Sequence, residues 1–196
     1  MTDFPRLRVA GEATLIVYLA GESSPAVVER VQALATRLET TLGAALVDLV
    51  PSYASLLVVF DARLTDHTAV RRTVRATLDA LPERLTAAGR LVEVPVYYAP
   101  ESGADLEALG ERSGLGWEAV AKLHSSIEYH VYAVGFAPGF AYLGDVDERI
   151  AAPRLQTPRT QVPPGAVAIA DRQTAVYPAS SPGGWNLIGR SPLTLF

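Results

Sequence analysis

Cysteine is absent from the 196 residues, which excludes disulfides, cysteine-ligated zinc or iron–sulfur centres and a thiol nucleophile. No apolar run approaches the roughly 20 residues needed to cross a bilayer, and the opening MTDFPRLRVAG carries no apolar segment of signal-peptide length. A cytoplasmic protein with no membrane association is therefore expected. Positive charge is also scarce: 17 basic against 21 acidic residues, evenly spread, give a formal charge of −4 and no electrostatic footprint for nucleic acid. Neither G-x-x-x-x-G-K-[ST] nor a strand-to-helix G-x-G-x-x-G occurs, so a phosphate cradle of either kind is missing. The acyl-transfer elbow G-x-S-x-G is missing too. The three histidines are few and scattered; His124 and His130, six apart, are separated by about 240° of rotation around a helix, and a metal site is not expected.

What is abundant is apolar. Hydrophobic residues make up 49% and charged ones only 19%, which either a large core or a surface covered by another protein explains. The length suits two small domains. Ala13, Leu15, Val17 and Leu19 alternate as a strand. Ser24 and Pro25 read as the N-cap and first residue of a helix whose stripe is Val27, Val31, Leu34, Leu38 and Leu42, ended by Gly43. Leu46–Val50 and Ser55–Phe60 read as a hairpin, Asp66 as the cap of a second helix ended by Pro82, and Leu91–Tyr98 as a strand. His67, beside that cap, reads as a solvated surface residue. This strand, helix, strand, strand, helix, strand order is the split βαβ, or ferredoxin-like, arrangement over residues 1–99.

Residues 100–126 read as a helical connector, Ala104–Ser113 and Trp117–Ser125, parted by Gly114 and Gly116. Helix, turn, helix is also a DNA-reading outline, but the second helix offers base edges only Lys122. From 127 to 196, short β runs (Val131–Phe136, Ala166–Ala170, Thr174–Tyr177) alternate with Pro and Gly clusters, the pattern of a small barrel or sandwich. An α+β fold is expected.

Chemistry concentrates in this last stretch. GFAPGFAYLG, residues 135–144, sets glycines and a proline among aromatic rings, which fits either a barrel corner or a ligand-binding wall. In APRLQTPR, Arg154 and Arg159 each follow a proline, which stiffens the backbone that carries two potential carboxylate or phosphate binders. SSPGGWNLIGR joins Ser180, Ser181, the Gly183–Gly184 pair, Trp185 and Arg190, and Gln173 and Thr174 add neutral hydrogen-bonding groups.

These segments, with LHSSIEYHVY before them and GEATLIVYL and VPSYASLLVVFD in the first half, resemble the KipI / allophanate hydrolase subunit 1 family. That family is also called carboxyltransferase subdomains C and D and includes the B subunit of the prokaryotic 5-oxoprolinase. The resemblance implies a ferredoxin-like domain followed by a cyclophilin-like β-barrel. It implies an ATP-dependent opening of 5-oxoproline to glutamate, carried out with an allophanate hydrolase subunit 2 (KipA-type) partner and a third component, with ATP bound with or by the partner. The pocket it implies takes a small anionic substrate among Phe136, Phe140, Tyr142, Arg154, Arg159, Gln173, Ser181, Trp185 and Arg190, with His124 and Glu128 as proton-transfer candidates. Two other activities accompany the resemblance: inhibition of a sensor histidine kinase, and a place in a urea- or amide-carboxylating system. The latter needs biotin, for which this chain has no attachment segment. Three positions depart from the family pattern: Glu12 stands for Asp, Asp171 for Gly, and the chain ends at Phe196 where further strands are implied, so an open barrel edge is expected.

Overall fold

The computed structural model describes residues 4–82 and 89–195; Phe196, named above for the barrel edge, lies outside them. The chain forms two compact units, Met1–Arg90 and Leu91–Phe196.

The first unit begins with a strand that alternation did not reveal, β1 (Arg6–Gly11), paired antiparallel with β2 (Thr14–Tyr18). Helix α1 (Pro25–Leu42) starts where Ser24 Oγ accepts the Val27 N–H at 3.3 Å and stops at Gly43. The hairpin β3 (Leu46–Ser52) and β4 (Ser55–Phe60) pairs as expected, and α2 (His67–Asp79) is capped by Asp66, whose Oδ1 accepts the N–H groups of Thr68 and Ala69 at 2.7 and 2.8 Å. These two bonds favour the carboxylate and hold Asp66 below the usual carboxylate range. The sheet order is β1-β2-β4-β3. Leu15 and Val17 of β2 and Leu56, Val58 and Phe60 of β4 are buried against Val31, Leu34 and Leu38 of α1 and Val70, Val74 and Leu78 of α2.

The structure differs from two of these expectations. Leu91–Tyr98 is not a strand: only Tyr97 bridges, to Arg190, within the second unit. Pro95 cannot donate to a ladder, and the place beside β2 is taken by β1. His67 is half-buried rather than solvated; its Nε2 lies 3.1 and 3.3 Å from the Gly11 and Thr14 carbonyls, and its ring meets Phe60 edge-on at 4.9 Å.

In the second unit, α3 (Leu106–Ser113) and α4 (Trp117–Ser125) precede β5 (His130–Val134), β6 (Ala141–Gly144), β7 (Arg159–Val162), β8 (Ala166–Ala170), β9 (Gln173–Val176), β10 (Ser181–Gly183) and β11 (Asn186–Arg190). One antiparallel sheet runs β11-β8-β9-β6-β5, and β7 pairs with β10 in a two-stranded ribbon. The segment expected as a connector therefore supplies α3 and α4 to the core of this unit.

Strand β8 is buried at all five positions and serves two cores by alternation. Val167 and Ile169 face Leu106 and Leu109 of α3 and Val120 of α4, whereas Ala166, Ala168 and Ala170 face Phe140, Tyr177 and Trp185. Alanines on the second face leave the volume that three large rings need. Gly103 lies so close to β11 that an added Cβ would stand 2.3 Å from the Ile188 carbonyl carbon and 2.8 Å from the Gly189 nitrogen. Because both obstacles are backbone, Gly103→Ala is expected to cost at least about 3 kcal/mol, measurable as a lower denaturant midpoint.

Candidate functional site

Phe140, buried, is the hub of an aromatic cluster. Its ring meets Phe136 at 5.2 Å, Tyr142 at 4.9 Å, Tyr177 at 5.3 Å and Trp185 at 5.8 Å, all edge-on, an arrangement that aromatic quadrupoles favour. The hairpin between β5 and β6 delivers Phe136, Phe140 and Tyr142 and is closed by Gly135 N–H to Phe140 O at 3.0 Å. Phe136 at its tip is 64% exposed and has φ +71°, a left-handed conformation that a bulky L-residue pays for. Phe136→Gly is expected to raise unfolding stability by about 1 kcal/mol through relief of that conformation. Urea titration reads it, and a loss of stability would contradict the assignment of strain.

The proline-arginine and glycine-tryptophan segments meet at the same place. Leu155 N–H donates to Gly184 O at 2.7 Å, and the β7/β10 ribbon sets Arg159 opposite Gly183 and Val162 opposite Ser181. Arg154 lays its guanidinium 5.8 Å from the centre of the Trp185 ring, a cation–π contact, and has no ion pair among the described residues. Arg159 sits differently: Nη2 donates to Asp105 Oδ1 at 2.7 Å and Nη1 to the Trp185 carbonyl at 3.4 Å. Gly183 lets the Tyr177 ring pack close, since a Cβ there would press on the Tyr177 hydroxyl. Burial pushes that hydroxyl up from its ordinary pKa, opposed by Arg154, Arg159 and a hydrogen bond from the Trp185 backbone. Ser181 Oγ is buried and has no hydrogen-bond partner among the described residues. Gln173 shares the face of Ala175 and Tyr177 by strand alternation.

Eight of the expected residues, Phe136, Phe140, Tyr142, Arg154, Arg159, Gln173, Ser181 and Trp185, thus belong to the hairpin, sheet face and ribbon of one region. Tyr177 and Asp105 join them and were missed. A tyrosine before a proline and an aspartate at a helix start carry no local signal of partners so far away in sequence.

Arg190 does not join them. Its Nε donates to Pro164 O at 3.2 Å, its backbone pairs with Tyr97, and it lines a cleft with Tyr97, Glu101 and Pro192. The bulge between Leu187 and Gly189 shifts the alternation along β11 and helps turn this side chain away from Leu187's aromatic core. The turn at Asp171 is adjusted instead of abandoned: Asp171 takes φ +52°, the conformation for which glycine is the usual choice, and its N–H donates to Ala152 O.

The two proton-transfer candidates do not reach this region with free groups. His124 is 5% exposed, with Nδ1 2.7 Å from Tyr98 Oη and Nε2 2.8 Å from Thr174 Oγ1. Thr174 donates its own proton to Ala168 O at 2.9 Å, so it accepts from His124 Nε2–H, which leaves Nδ1 to accept from the Tyr98 hydroxyl. Both nitrogens are spent, and burial pushes the imidazole down to about 4. His124 is thereby part of the scaffold rather than a proton shuttle. Glu128 stands exposed in the loop between α4 and β5.

The second unit is thus an antiparallel sheet with helices packed on one face and an arginine-flanked aromatic cluster on the other, a mixed fold of helix and sheet. Residues 5–196 match the carboxyltransferase domain, subdomain C and D, and the chain belongs to that family. It is 37% identical to the 5-oxoprolinase B subunit of Bacillus subtilis strain 168, across the whole of this chain and 86% of that protein. It is 36% identical to the 5-oxoprolinase B subunit of Escherichia coli O157:H7, across 97% of this chain and 86% of that one. The crystal structure of TTHA0988 superposes with a TM-score of 0.82 at 36% identity over 97% of this chain, which spans only 36% of that longer one. Kluyveromyces lactis urea carboxylase shares the fold, with a TM-score of 0.74 at 18% identity over 97% of this chain and 20% of that one. Among the described residues no helix is long and apolar enough to cross a membrane, and no group of three or more His, Cys, Asp and Glu side chains is placed to hold a metal ion.

Proposed function

We propose that this chain is a subunit of a cytoplasmic ATP-dependent 5-oxoprolinase and binds 5-oxoproline on the aromatic face between Arg154 and Ser181. The names of its curated relatives support the reaction. The observation that carries the site is the pairing, among the described residues, of an ion-pair-free guanidinium over Trp185 with an orphaned buried hydroxyl at Ser181. In this reading unit one is the ferredoxin-like domain of the family and unit two its cyclophilin-like barrel.

5-Oxoproline has a carboxylate, a flat lactam and two ring methylenes that carry no polar group. Arg154 takes the carboxylate, in part desolvated by the indole beneath it, which strengthens the attraction. Phe140, Tyr142 and Trp185 cover the ring carbons and exclude water, while Ser181 Oγ and Gln173 orient the lactam through hydrogen bonds. A lactam is resonance-stabilised, and ATP supplies the activation that hydrolysis needs. ATP itself does not fit this face: Arg159 is already paired with Asp105, which leaves Arg154 facing a tetra-anion. The nucleotide is therefore assigned to the partner, of allophanate hydrolase subunit 2 type, or to the third component of the complex.

The test is reconstitution. This chain, the subunit 2 homologue, the third component and ATP are expected to release glutamate from 5-oxoproline, and omission of this chain to abolish it. A complete mixture that releases none defeats the reading. Autophosphorylation of a cognate sensor kinase with and without this chain separates the regulatory alternative, and no change is expected.

A further inference from the structure

Asp105 occupies the N-cap position of α3, where an aspartate ordinarily accepts an N–H of the first turn, a bond worth about 1 kcal/mol. Here the side chain makes no such bond. Its carboxylate is spent elsewhere: Oδ1 accepts from Arg159 Nη2 at 2.7 Å, and Oδ2 accepts the Leu187 N–H at 2.6 Å. The Asp105 N–H in turn donates to Leu187 O at 2.9 Å, so the residue grips β11 through both backbone and side chain. The partners lie 54 and 82 residues away in sequence. The ion pair is largely buried, with side-chain exposures of 27% for Arg159 and 15% for Asp105.

A helix start that gives up its own cap to hold a distant arginine is organised around that arginine. The fixed guanidinium also reaches the Trp185 carbonyl, and Trp185 carries Arg154 on its ring. Asp105 therefore stands at the root of a chain, Asp105 to Arg159 to Trp185 to Arg154, that ends at the proposed carboxylate binder. It also offsets one of the two positive charges of this face, leaving Arg154 as the uncompensated one.

We propose that Asp105 is the positioning and specificity-determining residue of this site, holding Arg159 and Trp185 in place and limiting the face to ligands with a single carboxylate. The inference rests on the site proposed above, and its selectivity for one carboxylate follows from charge compensation. Glutamate, the dicarboxylate product, is by the same argument held less well than 5-oxoproline.

Asp105→Asn tests it, because the amide oxygen can still accept the Leu187 N–H while the ion pair is lost. In the reconstituted complex this variant is expected to raise KM for 5-oxoproline about tenfold with kcat within about twofold, and to strengthen product inhibition by glutamate. Arg159→Gln is expected to raise KM to a similar extent, and the double variant no further than either alone. Asp105→Glu, which keeps the charge, is expected to restore part of the loss. A lower melting temperature with KM and glutamate inhibition unchanged would show Asp105 to be structural only and overturn the proposal.

A second readout does not depend on the reaction. In the ¹⁵N-labelled chain, the Arg159 Nε–H resonance and the Trp185 indole resonance are expected to move together on titration with sodium acetate, and in Asp105→Asn to lose that coupling. If neither resonance of the unsubstituted chain responds to acetate, the proposal fails whatever the complex hydrolyses. If both respond while the complex leaves 5-oxoproline intact, Asp105's role stands and the assigned substrate falls.

Discussion

Replacing Arg154 with alanine is expected to lower kcat/KM for 5-oxoproline about a hundredfold in the reconstituted complex, equivalent to about 2.7 kcal/mol of transition-state binding. The protein should melt where the unsubstituted one does. Both parts follow from one geometry. Arg154 is exposed, its guanidinium lies over the face of Trp185 and it holds no ion pair among the described residues, so removing it leaves the aromatic core closed. Arg154→Lys should recover only part of the loss, since an ammonium keeps the charge but neither stacks on the indole nor meets two carboxylate oxygens at once. Steady-state kinetics alongside thermal melts check this. A variant with full activity would remove Arg154 from the site.

The second large effect is on stability. His124→Ala is expected to cost about 4 kcal/mol, from the cavity left beside Tyr98 and Tyr129 and from two hydroxyls deprived of their partner. Its pH dependence has a defined direction. Burial pushes the folded imidazole from 6.5 down to about 4, so between those values the unfolded chain binds a proton that the folded chain refuses. The stability His124 contributes is whole above pH 6.5 and is lost as the pH falls toward 4, by about 3 kcal/mol in all. Urea unfolding at a series of pH values should show this loss in the unsubstituted protein. In His124→Gln, which has no proton to take up, that part of the slope should vanish. Equal slopes in the two proteins would mean that the imidazole is not kept neutral by its surroundings.

Local rules made much of the first unit legible. Ser24, Gly43 and Asp66 mark helix ends through chemistry that acts within four residues, and the β3/β4 hairpin follows from two apolar runs separated by a turn. The same rules misread Leu91–Tyr98, whose composition favours a strand but whose partner was a matter of tertiary competition. They overlooked β1, where Arg6 and Arg8 interrupt the apolar pattern and pairing with β2 decides the outcome.

At the site, residue type was informative and position was not. Glycines among aromatic rings pointed to close packing, and the Tyr177 hydroxyl pressed against Gly183 is one such contact. Arg154, Arg159 and Arg190 looked alike in sequence, yet one lies on an indole, one is clamped by an aspartate, and one has turned to Pro164 in another cleft. His124 has the ring of a proton shuttle, and only burial and two hydroxyl partners identify it as scaffold. Charge compensation and burial depend on groups 50 or more residues apart, such as Thr174 for His124 and Asp105 for Arg159, and a one-dimensional pattern does not carry them.

The aromatic face beneath Arg154 is proposed to hold a five-membered lactam by its carboxylate. The Trp185 indole N–H resonance tests it most directly, in this chain ¹⁵N-labelled and bound to its unlabelled partner. Titration with 5-oxoproline is expected to shift that resonance saturably, and 2-pyrrolidinone, the same ring without the carboxylate, to leave it nearly unmoved. An indole that ignores 5-oxoproline, or that answers both compounds equally, would contradict the account.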